Sequence, residues 1–136
     1  GMIKVIETAG IPARAQQLEE WAHQDYFVTN SRSLAFFISA NDQDIIRTRE
    51  QVWAANQMGA TTIAICSKEN NEFDGYADQV LHVFDCSEDL LSPLVYCVPL
   101  QLFSYYLAIS KNLTMLAYDD PKIKSINQNQ IFGQQL

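Results

Sequence analysis

The sequence predicts an α/β domain built on a parallel sheet, and three features predict it. An apolar run at 33–39 leads into an amphipathic helical segment, and that segment leads into a β-branched run at 61–66. A third strand-like run follows at 79–84, and a long apolar helical stretch comes after it. Strand, helix, strand, loop, strand, helix is the order of a βαβ unit and its continuation. A chain of 136 residues has room for one domain, and 48% hydrophobic with 18% charged residues is enough apolar material for a packed core.

The elements follow in chain order. Residues 2–9 form a helical beginning that ends at the breaker Gly10-Ile11-Pro12, and a second helix is expected around 13–22. Doubly wound domains usually have five or six strands and open on one. With three strands and a helical start, the chain reads as one partial domain over 1–136 without its opening strand. Ser33-Leu34-Ala35-Phe36-Phe37-Ile38-Ser39 is continuously apolar, the pattern of a central strand covered on both faces. Over 42–58, Ile45, Thr48, Val52 and Ala55 fall at spacings of three and four and make one apolar stripe, with Asp44, Arg47, Arg49 and Glu50 lying elsewhere. Asn41 is the expected N-cap of this helix and Gly59 its expected stop. Thr61-Thr62-Ile63-Ala64-Ile65-Cys66 and Gln79-Val80-Leu81-His82-Val83-Phe84 read as strands separated by a polar loop.

The last helix is expected over 91–111. Residues 90–109 are almost uncharged and approach the roughly 20 residues of a membrane span. Pro93 and Pro99 interrupt the stretch, Gln101 and Ser104 dilute it, and no Lys or Arg flank precedes it. It is therefore expected as a helix buried in a soluble core. Pro93 suits the first turn, and Glu88 and Asp89 before it suit the positive end of the helix dipole.

Sixteen acidic against nine basic residues give a net charge of −7, which disfavours nucleic acid and anionic membrane surfaces as partners. Cys66, Cys86 and Cys97 are odd in number, lie among apolar residues and have no C-x-x-C spacing, as expected of reduced core cysteines in a cytoplasmic protein. The N-terminus lacks the zones of a signal peptide. No metal is expected, since His23 and His82 are far apart and neither has a second ligand at helical spacing. No cofactor is expected either, because the chain contains no Gly-x-Gly and no other anion-binding loop. It has no Gly-x-Ser-x-Gly elbow and no Cys with an evident His partner. Trp21, Trp53, Tyr105 and Tyr106 are expected in the core rather than on a sugar-stacking platform.

The densest set of groups able to do chemistry is Lys4, Glu7, Glu19, Glu20, His23 and Asp25. Lys4 and Glu7 are three apart and share a helix face, which by itself describes a solvated ion pair. His23 is the residue type best suited to move protons near neutral pH, and it also fits a plain exposed or structural role. Glu19 and Glu20 fit a solvated helix face equally well.

Read as one string, Ile3-Lys4-Val5-Ile6-Glu7-Thr8 followed by Leu18-Glu19-Glu20-Trp21-Ala22-His23 is similar to a helix with the pattern Leu-Lys-x-x-Glu-Thr/Ile and an acidic, aromatic segment ending in His-Gly-Pro. The interval from Glu to His, 16 positions, is the same. Downstream, Val98-Pro99-Leu100-Gln101-Leu102 matches the core of a closing helix with the same order. On these residues the chain resembles the sugar isomerase (SIS) domain family over about 2–121. The resemblance is to the second SIS domain of the isomerase half of glucosamine-6-phosphate synthase and to its fructosamine-phosphate deglycase relatives.

The resemblance implies a three-layer α/β/α fold, a small-molecule sugar phosphate as partner, and a homodimer or a companion SIS subunit. It implies an aldose–ketose isomerase or deglycase half-site, in which Glu7 moves the proton between C1 and C2 and His23 assists ring opening from a second subunit. One carboxylate suits the first task, because it serves as base and then as acid. Lys4 would stabilise negative charge at the same site, and Glu20 would contact substrate. Three departures stand beside this. The family's His-Gly-Pro is here His23-Gln24-Asp25. Ile126 occupies the place of the family's C-terminal catalytic Lys, with Lys122 and Lys124 as the nearest stand-ins. The Ser/Thr-rich loop that grips the phosphate belongs to the first SIS domain. Two other readings therefore remain open: a non-catalytic phosphosugar-binding regulatory or interaction module, and a truncated SIS protein whose exposed sheet edge drives dimerisation.

Overall fold

A computed structural model describes residues 1–136 except 41–43, 85–88, 114–119 and 132–136, with the backbone alone described at 89, 127 and 131. The first helix, α1 (Met2–Ala9), ends at the expected breaker. Gly10 takes a φ of 60°, a left-handed backbone that costs glycine nothing, and its N–H donates to the Ile6 carbonyl at 3.0 Å.

The second helix, α2 (Leu18–His23), starts later than the expected 13. Its start is set by a reciprocal cap between Gln17 and Glu20. The Gln17 side chain accepts from the Glu20 N–H, and the Glu20 carboxylate accepts from the Gln17 N–H at 3.2 Å. Propensity over 13–17 carries no sign of this pairing. A short 3-10 turn, Asp25–Val28, follows.

Strands β1 (Leu34–Ile38), β2 (Thr61–Ser67) and β3 (Gln79–Val83) form a parallel sheet in the order β1-β2-β3. Leu34 pairs with Thr61, and Ile63 with Gln79. The α/β class with a parallel sheet is thus the one the sequence predicts. The central strand is β2 rather than β1: Ala64, Ile65 and Cys66 are fully buried, whereas Leu34 and Ile38 at the ends of β1 are each 45% exposed. A continuous apolar run reports apolar side chains on both faces of a strand, and carries no information on its place in the sheet order.

Helix α3 (Ile45–Gln57) connects β1 to β2 and buries Thr48, Val52 and Ala55 from the expected stripe. Gly59 follows at φ 88°, donating to the Asn56 carbonyl at 2.8 Å, so the expected stop is used. The expected cap, Asn41, lies outside the described residues. Val52 and Ala55 join Phe37, Ala60, Ala64, Cys66 and Phe73 in the core, and Trp21 packs edge-on to Phe37 at 5.5 Å. Phe73 comes from the loop between β2 and β3 and pins it to the core. Asp78 closes the same loop: its carboxylate accepts from the Thr62 N–H at 2.7 Å, the Thr62 hydroxyl at 3.0 Å and Asn56 Nδ2 at 3.2 Å.

Helix α4 (Ser92–Ser110) has the expected extent but is not buried. Of its side chains only Tyr96, Ser104 and Ala108 are buried, and it is long and apolar enough to cross a membrane by length and composition. A helix that is apolar all round needs cover on every side, and this chain covers one face. For the same reason Tyr105 and Tyr106 are exposed. Trp53, on α3, is 53% exposed, so of the four aromatics expected in the core only Trp21 packs there. Cys66 is buried and Cys97 half-buried, while Cys86 lies outside the described residues. A further helix, α5 (Pro121–Ile131), which the sequence reading did not assign, is capped by Asp120, whose Oδ1 accepts from the Lys122 N–H at 2.8 Å. The chain divides into two compact units, residues 1–15 with 98–136 and residues 16–97.

Candidate functional site

In the first unit the residues that the sequence offers as candidates are carried by α1. Its inner side holds Thr8 and Ala9, and the Thr8 hydroxyl donates to the Lys4 carbonyl at 2.7 Å and to the Ser104 carbonyl of α4 at 3.3 Å. That anchoring leaves Lys4 and Glu7 on the outer side. Lys4 Nζ donates to Glu7 Oε2 at 2.9 Å, with the two side chains 53% and 41% exposed. A cation and a carboxylate are thus held side by side and open to solvent. An ion pair this exposed contributes little to stability. Lys122 and Lys124, in the first turns of α5, belong to the same unit and are exposed.

In the second unit the candidate residues are carried by α2. His23 is its last residue and is exposed. Gln24 and the 3-10 turn from Asp25 follow, and Gln24 has a φ of −129°, so this turn needs no glycine. Glu20 is engaged in the cap with Gln17. Glu19 is held by Arg47 of α3, whose Nε and Nη2 donate to its two oxygens at 2.6 and 2.9 Å, while Nη1 donates to Glu50 at 2.9 Å. The hydrogen bond from Arg47 and its charge, with a smaller contribution from His23, hold the Glu19 carboxyl below the usual range. The structure therefore brings Lys4 to Glu7 within one unit and sets Glu20 and His23 three residues apart on α2 in the other.

Sequence reading missed two features. The first is an open cleft of about 670 Å³ at the carboxyl end of β2, lined by Arg49, Ser67, Glu69, Asn70, Glu72 and Tyr76 among others. Its place is the general one for ligands in open α/β sheets. Its chemistry disfavours an anion: Glu69, Glu72 and Asp74 all line it, and Arg49 is already paired with Glu72 and stacked over Tyr76 at 5.2 Å. The polar run at 68–78 was the only signal for it.

The second is a Cys–His neighbour pair, which corrects the expectation that no Cys has a His partner. Cys66 and His82 are opposite each other across β2 and β3, with Sγ 3.7 Å from Nδ1. Nδ1 also lies 3.1 Å from the Ser67 carbonyl, which can only accept, so Nδ1 carries the proton and is not free to take one from sulfur. Burial, with the charge of Asp74, pushes the Cys66 thiol up. The pair is structural. Among the described residues no group of three or more His, Cys, Asp or Glu is placed to hold a metal.

The SIS domain family profile matches residues 1–111. The chain is similar to glutamine–fructose-6-phosphate aminotransferase (isomerizing) of Idiomarina loihiensis, 30% identical over 112 residues, and to that of Methanosarcina mazei, 28% identical over 122 residues. These stretches are 82% and 90% of this chain but 18% and 19% of the relatives, so the chain spans about a fifth of their length. Among solved structures, the C-terminal domain of glucosamine-fructose-6-phosphate aminotransferase from Francisella tularensis superposes with a TM-score of 0.74 at 26% identity, covering 84% of this chain and 32% of that one.

Proposed function

This chain belongs to the SIS domain family, and from that premise we propose that it binds a sugar phosphate and serves as an aldose–ketose isomerase or deglycase half-site. The observation that carries the proposal is the exposed Lys4–Glu7 pair on α1, a carboxylate able to take and return a proton beside a fixed positive charge. In the ketose-to-aldose direction Glu7 removes a proton from C1 of the open-chain sugar. The electron pair of the broken C1–H bond forms the C1=C2 double bond of an enediol, the hydroxyl proton passes from O1 to O2, and Glu7 returns its proton to C2, so the carbonyl moves from C2 to C1 with no net oxidation. Lys4 opposes the negative charge that develops on the sugar oxygens, a necessary contribution in a chain of net charge −7. His23 of a second copy gives a proton to the ring oxygen and opens the sugar, and Glu20 contacts a sugar hydroxyl when released from its cap. The phosphate-gripping loop comes from a companion SIS domain. The cytoplasm, where sugar phosphates are held, is the compartment this activity requires.

One observation favours the second reading, a non-catalytic phosphosugar-binding regulatory module: Ile126 stands where the family has its catalytic Lys. A deuterium-exchange measurement separates the two. Incubation with fructose 6-phosphate in D2O, followed by proton NMR, is expected to show exchange at C1 with the wild type and none with Glu7→Gln. Binding without exchange in the wild type would overturn the half-site reading and leave the module.

A further inference from the structure

Glu19 stands four residues before His23 on α2, the spacing at which helical side chains meet and a carboxylate can pair with an imidazolium. That pair is not made: among the described residues the His23 ring has no hydrogen bond or salt bridge. Arg47 of α3 takes the carboxylate instead. Its Nε donates to Glu19 Oε1 at 2.6 Å and its Nη2 to Glu19 Oε2 at 2.9 Å, so one planar group engages both oxygens. Glu50, three residues on in the same helix, accepts from Nη1 at 2.9 Å and steadies the guanidinium. A single exposed ion pair does little, but a two-pronged Arg–carboxylate grip within a network of charges is the geometry that does hold elements together.

The charges around His23 give this grip a second effect. Glu19 and Glu20 are on its own helix, and Asp25 and Tyr26 are on the turn that follows. From α3, which packs against α2, come Arg47, Arg49 and Glu50. Arg49 is engaged by Glu72 and Tyr76, so Arg47 is the cation set among these carboxylates. Glu19 and His23 do feel each other, since the charge of His23 helps to hold the Glu19 carboxyl below its usual range. We propose that Arg47 is the positioning residue for His23: by gripping Glu19 it docks α2 on α3 and keeps from His23 the carboxylate one helical turn away. The imidazole then stays open to a ligand and able to part with its proton. An imidazolium paired with a carboxylate holds its proton more tightly, which opposes transfer to a ring oxygen. The proposal deepens the reading in which His23 opens the sugar ring and rests on it, and Arg47 itself touches no reacting atom.

The test is a double-mutant cycle read at His23 without sugar. Ring proton resonances of the full chain are followed by NMR across pH, with His23→Gln distinguishing the His23 signals from those of His82. Arg47→Gln is expected to move the His23 titration midpoint up by a few tenths of a pH unit, the size of a helix pair at this spacing, and to leave His82 in place. Glu19→Gln should lower the midpoint less in the wild type than in the Arg47→Gln background, because Arg47 already withholds that carboxylate. Arg47 and Glu19 are 45% and 57% exposed, and circular dichroism checks that each variant stays folded. No movement with Arg47→Gln would overturn the proposal, as would an equal effect of Glu19→Gln in the two backgrounds. With fructose 6-phosphate in D2O, exchange in the wild type should be slowed severalfold in Arg47→Gln, and equal exchange would overturn the positioning role. Absence of exchange in the wild type would instead strike the half-site reading, while the cycle still decides whether Arg47 governs His23.

Discussion

Lys4 Nζ lies 2.9 Å from Glu7 Oε2 on the outer face of α1, and more than two fifths of each side chain is open to solvent. A pair so placed does little for the fold, so its substitution should separate ligand affinity from stability. Lys4→Met is expected to cost about 0.3 kcal/mol of stability and to weaken sugar-phosphate binding severalfold. Thermal melting and calorimetric titration of the same preparation measure both. Equal affinity in wild type and variant would remove Lys4 from the site.

Arg47 ties Glu19 of α2 to Glu50 of its own helix, all three groups being solvent-exposed. Attraction between exposed charges is screened by salt. Glu19→Gln is expected to lower the melting temperature by a few degrees at low ionic strength, and the difference should shrink toward zero in high salt. A difference that does not depend on salt would mean that packing, rather than charge, joins α2 to α3.

Hydrogen bonds from the Thr62 backbone N–H and hydroxyl, with one from Asn56, hold the Asp78 carboxyl below its ordinary range. A depressed folded-state pKa adds stability that is complete above the unfolded pKa and is lost as pH falls through the folded one. The wild-type melting temperature should therefore exceed that of Asp78→Asn at neutral pH, and the two should converge below about pH 4. Melting curves across that interval check it, and parallel curves would contradict the assignment.

Phe73 is fully buried although it comes from the loop between β2 and β3. Phe73→Ala is expected to cost about 3–4 kcal/mol, measured by urea unfolding, while Tyr76→Ala on the exposed side of the same loop should cost far less. Equal costs would show that the loop is held by Asp78 rather than by its aromatic anchor.

Much of this was legible in the sequence where local pattern and tertiary structure agree. The α3 stripe of Thr48, Val52 and Ala55, the stops at Gly10 and Gly59, and the three strands all emerge from spacing and side-chain type. Features that depend on a particular side-chain cap or on a partner distant in sequence were not legible. The Gln17–Glu20 cap delays α2 in spite of the propensity of 13–17. The place of β1 in the sheet depends on pairing rather than on its own apolarity. The exposure of α4 depends on how much surface the rest of the chain can cover. For the candidate site, the Lys4–Glu7 pair followed from a three-residue spacing. The Cys66–His82 neighbours exist only through the parallel register of β2 against β3, and the cleft beside Arg49 only because the loop after β2 lies next to α3.

The central claim is that the chain binds a sugar phosphate. Its most direct test is the melting temperature of the full chain titrated with fructose 6-phosphate and glucosamine 6-phosphate, with unphosphorylated fructose and inorganic phosphate as controls. A ligand that binds only the folded state must raise that temperature, by an amount that grows with its concentration. A saturable rise with either sugar phosphate, absent with both controls and reduced in Lys4→Met, is the predicted result. No rise with any phosphosugar at concentrations well above the usual range for such ligands would contradict the account.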